Sequence, residues 1–306
     1  MGITIATALA PIVFLIVLGY FLKHSRFLPV ETWPGIEKLT YFILLPALLV
    51  KVISNQTITD TQWPLMFIVI AGTLLTSSSL LTIWFKTDRS IEGPTFTSIF
   101  QGGVRFNTYI ALAVANSFYG EEGLALSAVA AGFMIIMINF LCISAFAIWG
   151  KAKTNGFKPF MKEILYNPLI ISCIIGWTIS LGNIELPTIM LDILGIIGRA
   201  ALLLGLLAVG ASLNLSAVKG HIKPIFASTT AQFFIKPLSV FTLLYFTGLN
   251  GVAAYVVTIF FMTPTASSAC ILARQLGGNV EVMSSIITFQ TILAFLTMPL
   301  IAFLML

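Results

Sequence analysis

The sequence predicts an all-α integral membrane protein, because three of its properties together fit no soluble fold. Hydrophobic residues make up 58% of the 306 residues, charged residues make up 9%, and the mean hydropathy is +1.03. Apolar runs of about 20 residues, the length of a helix that crosses a bilayer, follow one another with short polar interruptions. Strands of a membrane barrel would instead alternate over about 10 residues.

Ten helical spans are expected, with short connections between them. We place them at residues 2–22, 36–54, 64–85, 95–118, 123–149, 163–182, 188–213, 222–247, 251–275 and 280–305. No loop is long enough for a soluble catalytic domain, and the first span lacks the basic start and cleavage site of a signal peptide, so we expect it to be retained. Cys142, Cys173 and Cys270 lie inside apolar runs at unrelated positions, which predicts free thiols and no metal or cofactor site.

The net charge of +5 follows a topology pattern, so it gives no reason to expect a nucleic-acid partner. The loops after odd-numbered spans carry most of the basic residues: Lys23, Arg26, Lys38, Lys86, Arg89, Lys151, Lys153, Lys158, Lys162, Lys219, Lys223 and Arg274. The opposite loops carry one lysine and five acids: Lys51, Asp60, Glu121, Glu122, Glu185 and Asp192. By the positive-inside rule the first set is cytoplasmic, and both termini lie outside.

Three cations, Arg105, Arg199 and Lys236, are expected at or near membrane depth, and no Asp or Glu is expected comparably deep. An arginine at the centre of a bilayer helix costs about 2.5–3.5 kcal/mol, so it needs a partner, a wet cavity or a function. Arg199 is either interfacial or paired from another helix. Lys236 either loses its proton or donates to carbonyls freed at Pro237 and the broken ninth span; we favour the second.

An internal repeat emerges when the chain is shifted by 157 residues, which places Pro11 on Pro168 and Gly120 on Gly277. Each half, 1–150 and 151–306, then holds five spans. Because five is odd, the halves enter the membrane in opposite senses, as in inverted-repeat transporters. The shift also places Asn107 on Pro264, so we expect helix breaks at both positions, with Gly102 and Gly103 weakening the first helix.

The residues around these breaks resemble the auxin efflux carrier family, in particular its ten-span bacterial members, some of which are described as malate or malonate transporters. The resemblance runs along the whole chain and rests on "GGVRFNTYIALA" in span four, "MTPTASSACILARQLGG" in span nine and "TFQTILAFLTMP" in span ten. It implies a sodium/bile-acid-symporter-like fold, with a scaffold of spans 1, 2, 6 and 7. Spans 3–5 and 8–10 would form a transport domain in which the broken helices 4 and 9 cross beside the substrate.

The resemblance also implies which residues form the site. The family's asparagine and proline at the breaks match Asn107 and Pro264, and Asn139 either completes the pocket from span five or makes an interhelical hydrogen bond. Arg105 either contacts the substrate or pairs with span five or ten. In the eighth span, Lys236 is expected to stand at the crossing in place of a sodium ion. The expected substrate-binding set is Arg105, Asn107, Thr108, Asn139, Thr263, Pro264, Thr265 and Ser267.

Half-helix N-termini and Arg105 together favour an anion with planar oxygens, such as a carboxylate. The expected function is therefore secondary transport of a small organic anion by an elevator-type mechanism. We expect the protein in the bacterial inner membrane and expect no cofactor. A homodimer through the scaffold helices is a further expectation. A channel or passive uniporter of the same fold is the alternative. An intramembrane enzyme is disfavoured, because neither His24 nor His221 lies at depth and no carboxylate pair does.

Overall fold

The computed structural model describes residues 2–55, 62–88, 90–151, 165–218 and 220–305, and every regular element within these ranges is a helix. Five helices are long and apolar enough to cross a membrane by length and composition. The predicted all-α class is thereby confirmed. Part of what the sequence predicts lies outside the described residues: Asp60, Arg89, Lys219, most of the basic 150–162 loop and the first two residues of the sixth predicted span.

In the first half of the chain, six helices are described. They are α1 (Gly2–His24), α2 (Thr32–Leu39), α3 (Leu45–Ser54), α4 (Trp63–Thr87), α5 (Gly93–Val104) and α6 (Thr108–Trp149). A proline lies in the first turn of α3, α4 and α5, where its missing N–H leaves no intrahelical bond unmade. The local sequence therefore favours the start of a helix at each of these three positions.

In the second half, the described residues form seven helices. They are α7 (Pro168–Leu181), α8 (Thr188–Ser212), α9 (Ile222–Thr230), α10 (Lys236–Thr247), α11 (Gly251–Met262), α12 (Ala269–Leu276) and α13 (Val280–Met305). The Asn167 side chain caps α7 by accepting from the backbone N–H groups of Leu169 and Ile170. Gly248 and Gly277 end α10 and α12 in the left-handed conformation that glycine adopts without strain.

Two π-helical segments, Thr40–Leu44 and Ala231–Ile235, join α2 to α3 and α9 to α10. Each directly precedes a helix whose second residue is proline, Pro46 or Pro237. Because proline cannot donate a hydrogen bond to the carbonyl four residues earlier, the turn before it takes up one extra residue as a π-helix, and the helix continues. The hydropathy pattern had predicted uninterrupted helices at both places.

The fourth and fifth predicted spans meet without a loop. Residues 108–149 form one helical run whose single non-helical residue is Gly120, with φ 57° and ψ −141°. The break in the fourth span lies after Gly102 and Gly103, which are themselves helical. A Cβ on Gly102 would press on Ile286 and one on Gly103 on Leu81, so these glycines permit close packing and are not themselves the break.

The helices pack in two groups. In the first, α1 lies along α8, and α3 lies against both α7 and α8. The contact of α1 with α8 is backbone to backbone, since a Cβ on Gly19 would overlap the Leu207 carbonyl and one on Gly210 the Ile16 carbonyl. In the second, α4, α5 and α6 pack with α10, α11 and α13. The site lies where the second group meets α2 and α3.

Candidate functional site

The first interruption separates α5 from α6 at residues 105–107. Arg105 has an extended backbone, with φ −72° and ψ 167°, and so has Asn107, with φ −97° and ψ 107°. Asn107 is 1% exposed, and its Oδ1 accepts a hydrogen bond of 3.1 Å from the Ile110 N–H. Asn107 is therefore the N-cap of α6, a structural role that the sequence analysis did not predict.

The second interruption separates α11 from α12 and contains Thr263, Pro264 and Thr265, all buried. Thr263 turns the chain into an extended conformation, with φ −75° and ψ 152°. Its hydroxyl donates to the Phe260 carbonyl at 2.9 Å, and its backbone N–H donates to the same carbonyl at 3.4 Å, so the Phe260 acceptor at the end of α11 is satisfied. Pro264 could not extend the hydrogen bonding of α11 in any case, because it has no backbone N–H.

The two interruptions touch. The Asn107 N–H donates to Thr263 Oγ1 at 3.3 Å, and the Thr265 hydroxyl donates to the Gln101 carbonyl at 3.4 Å. Gln290 of α13 bridges them further: its Nε2 donates to the Gly102 carbonyl at 2.9 Å and its Oε1 accepts from the Thr265 N–H at 3.1 Å. Non-helical backbone in a membrane protein must find such partners within the protein.

Lys236 of α10 is fully buried at this crossing. Its Nζ donates to the Arg105 carbonyl at 3.0 Å and to the Val104 carbonyl at 3.3 Å, and lies 5.6 Å from the centre of the Phe261 ring. The expected kind of partner, freed carbonyls, is therefore present. The expected location was wrong, since these carbonyls belong to the break after α5 and not to the ninth span.

A cavity of about 470 Å³ opens beside the crossing. Five of the eight expected substrate-binding residues line it: Arg105, Asn107, Thr108, Asn139 and Ser267. The other three, Thr263, Pro264 and Thr265, lie behind the cavity wall at the crossing. The remaining lining is largely apolar or aromatic, with Tyr41, Phe42, Phe106, Tyr109, Ile135, Ile138, Leu169, Ile271 and Leu272 among its residues. Five of the expected residues therefore line the cavity, and the other three support the interrupted backbone beside it.

The polar groups on the cavity wall are available to a ligand. The Arg105 guanidinium donates from Nη1 to Gln101 Oε1 at 3.3 Å and also interacts with the Cys142 thiol of α6, which still leaves most of its five N–H groups without an acceptor among the described residues. Asn139 is 4% exposed, and no hydrogen bond is found for its side-chain amide within the part of the chain that is described. The N-terminus of α6, which carries a partial positive charge, also faces the cavity through Thr108.

Glu37 of α2 is a cavity residue that the sequence analysis missed. Its Oε1 accepts a 3.1 Å hydrogen bond from the Ser267 hydroxyl, and it lines the same cavity as Arg105. The sequence analysis expected no acid at the depth of the cations and did not identify Glu37 as a neighbour of Arg105 in one cavity. Glu37 lies beside Lys38 near the start of a predicted span, and that position resembles an ordinary loop charge.

Other titratable and sulfur-bearing groups make no site. Cys142, Cys173 and Cys270 are free, as predicted, with the first two buried. Within the described ranges, no group of three or more His, Cys, Asp or Glu side chains could hold a metal ion. His221 Nδ1 lies 3.1 Å from Ser285 Oγ, away from the cavity, and Arg199 is exposed on α8.

Interrupted helices that contact each other beside a cavity are typical of membrane transporters, and comparisons with known proteins agree. The family model described as "Membrane transport protein" matches residues 4–302, so the chain belongs to this family, the auxin efflux carrier family. It is a multi-pass membrane transporter and not an enzyme.

Two relatives illustrate the range of the match. The chain is 24% identical over 290 residues to an uncharacterized transporter of Methanothermobacter thermautotrophicus, covering 94% of this chain and 93% of the relative. It is 33% identical over 124 residues to the ileal sodium/bile acid cotransporter of Mus musculus, covering 40% of this chain and 34% of that protein. The first similarity spans nearly the whole fold; the second covers about a third of the bile acid cotransporter.

Proposed function

We propose that this protein is a secondary transporter of small organic anions that carry a carboxylate. The observation that carries the proposal is the Arg105 guanidinium, which lines the cavity with most of its donors unpaired among the described residues, next to the N-terminus of α6. A planar carboxylate accepts two parallel hydrogen bonds from a guanidinium, and the helix terminus favours the same charge. The apolar remainder of the wall suits a small organic body.

Around Arg105 we assign the substrate contacts to the lining residues of the expected set. The backbone N–H and the side-chain Oδ1 of Asn107 are already hydrogen-bonded, so its side-chain nitrogen Nδ2 is the atom left for a ligand. Asn139, Thr108 and Ser267 supply the other polar atoms of the wall. Thr263, Pro264 and Thr265 act indirectly in this proposal, since they hold the interrupted backbone in place.

The proposed architecture has ten spans in two inverted repeats, residues 1–150 and 151–306. Two observations support it. Gly120 and Gly277, which the 157-residue shift pairs, both have a positive φ, 57° and 76°. The packing of α1 on α8 and of α3 on α7 joins spans 1 with 7 and 2 with 6, pairs that exchange under the repeat.

The proposed mechanism is of the elevator type. Hydrogen bonds at the crossing join α5, α10, α11 and α13, which favours their movement as one body, the transport domain of spans 3–5 and 8–10. Spans 1, 2, 6 and 7 would form the scaffold, held by the close α1–α8 contact and available for a homodimer. We place the protein in the bacterial inner membrane with both termini extracytoplasmic.

Uptake of labelled mono- and dicarboxylates into proteoliposomes, with thermal-shift binding of the purified protein, tests the assignment of Arg105. Arg105→Gln should lose most binding and uptake, because the charge and the fork of donors disappear together. Arg199→Gln is the matched control, since Arg199 is an exposed arginine outside the cavity. Parent-like transport by Arg105→Gln, or no carboxylate binding by the parent protein, contradicts the proposal.

Asn107 needs a variant that preserves the cap. Asn107→Ala removes the acceptor for the Ile110 N–H and should cost about 1 kcal/mol of stability besides any loss of transport. Asn107→Ser keeps a capping oxygen and removes the amide, so we expect it to accumulate normally and to transport poorly. Normal uptake by Asn107→Ser would restrict Asn107 to its structural role.

The alternative of the same fold, a passive uniporter or channel-like facilitator, differs from a coupled carrier only in that no ion gradient drives transport. Accumulation of the anion against its own gradient when an ion gradient is imposed supports a coupled carrier. Flux that only equilibrates the anion under every imposed gradient supports the uniporter.

A further inference from the structure

The charges on the cavity wall give an inference about substrate charge that rests on the proposed function. Three charged residues line the cavity, Glu37, Lys38 and Arg105, so their formal charges of −1, +1 and +1 sum to +1. We propose that Glu37 is a specificity-determining residue that makes the cavity select organic anions with one negative charge over those with two. A monoanion brings the sum over these lining residues to zero, whereas a dianion brings it to −1.

Glu37 faces the cavity without a counter-ion. It is partly buried on α2, and its hydrogen bond comes from the neutral Ser267 hydroxyl at 3.1 Å. Within the described residues, no Lys, Arg or His nitrogen lies within 4.0 Å of its carboxylate, and Arg105 bonds to Gln101 instead. An ionised Glu37 therefore meets no counter-ion among the described residues before a ligand enters.

The two cations differ in what they offer a ligand. Lys38 is exposed, so water and salt screen its charge. Arg105 is partly buried at the interrupted helix, where α6 begins, and it alone combines a cation with a helix N-terminus. The cavity thus has one strong position for a carboxylate.

A second carboxylate on the same ligand would meet unfavourable surroundings. Apart from Glu37 and Lys38, the wall away from Arg105 consists of apolar, aromatic and uncharged polar residues. Two like charges within a few ångströms repel each other strongly where the effective dielectric constant is about 20. A neutral hydroxyl, amide or alkyl end avoids this repulsion and can accept a hydrogen bond from Ser267 or pack on the wall.

Binding of succinate and succinamate to the purified protein at pH 7.5 tests the proposal. The two ligands have almost the same shape, but succinate carries two ionised carboxylates and its monoamide carries one. The parent protein should bind succinamate at least about tenfold more tightly, a ratio that two unit charges in such a cavity readily produce. Glu37→Gln should reduce this preference to about twofold or less, by strengthening succinate binding.

Glu31→Gln is the matched control, because Glu31 is the exposed residue before α2 and does not line the cavity, and it should keep the parent ratio. Equal affinities of the parent for the two ligands would overturn the inference without requiring any variant, as would an unchanged ratio in a folded Glu37→Gln protein. Ser267→Ala, which removes the hydrogen bond and keeps the charge, should also retain the preference. Binding of neither ligand, nor of any other carboxylate, would instead refute the proposed function.

Discussion

Replacing Lys236 tests whether a buried ammonium holds the helix crossing together. Lys236→Met removes both donations from Nζ, to the Val104 carbonyl at 3.3 Å and the Arg105 carbonyl at 3.0 Å, and keeps a side chain of similar length. Lys236→Arg keeps the charge and the donors. The predicted order of damage is therefore greater for methionine than for arginine.

The magnitude follows from the two carbonyls. Each buried acceptor left without a donor costs about 1–3 kcal/mol, so the pair costs about 2–6 kcal/mol. The parent protein must desolvate the ammonium, and relief from that penalty in the methionine variant offsets part of the loss. We expect a net loss of about 2 kcal/mol or more, which corresponds to a fall of roughly 5 °C in melting temperature.

The assay is thermal unfolding of detergent-solubilised protein, followed by uptake into proteoliposomes with sodium replaced by potassium or choline. Lys86→Met is the control, because Lys86 is an exposed lysine in the last turn of α4. Uptake should not require sodium if the Lys236 ammonium occupies the place of the ion. Parent-like melting and uptake of Lys236→Met would refute the structural role, and a strict sodium requirement would refute the substitution for an ion.

Three further predictions concern other contacts. Gly210→Ala places a Cβ against the Ile16 carbonyl and should lower stability by about 1–3 kcal/mol in the same unfolding assay, whereas Gly35→Ala, with no atom within 4 Å of the added Cβ, should melt like the parent. Thr265→Val removes the hydroxyl bonded to the Gln101 carbonyl, and it should lower the melting temperature without changing the affinity for carboxylates, because Thr265 lies outside the cavity. Asp88 forms an ion pair with Lys223 at 2.5 Å, and the hydrogen bond from Lys223 is the chief cause that lowers the pKa of Asp88 to about 2. The ion pair therefore stabilises the fold fully above the unfolded pKa near 4, and this stabilisation disappears as the pH falls through 2. Melting curves of Asp88→Asn and the parent should accordingly differ slightly at pH 7 and converge at low pH and high salt, and a difference that grows with acidification would contradict this account.

The sequence predicted most helices because apolar run length is a local property. Both ends of α4, α8 and α13 and the C-terminal end of α10 lie within two residues of their expected positions, and the Pro264 break was expected from a missing N–H. The π segments were not predicted, since each adds one residue to a turn without changing the hydropathy. Composition alone also gave no reason to assign packing to Gly102 and Gly103.

The site was predictable in its residue types and less so in its geometry. Arg105 and Asn107 were identified because a charge and an amide are expensive in an apolar run. Whether a residue faces the cavity depends on the direction of an extended backbone, so Thr265 could not be distinguished from Ser267 by sequence. Glu37 comes from a distant helix, and only the folded chain brings it to Ser267.

The way in which α5 ends has a consequence for biogenesis. Its last carbonyls are satisfied by side chains from other helices: Gly103 by Ser77, Gly102 by Gln290, and Val104 by Lys236. Two of these donors follow 132 and 188 residues later in the chain, so they reach the membrane only after most of the protein has been synthesised. Until then α5 has exposed acceptors in a medium without water. A nascent chain that stops before α10 should therefore be a substrate for membrane quality control, and the N-terminal half should not persist alone.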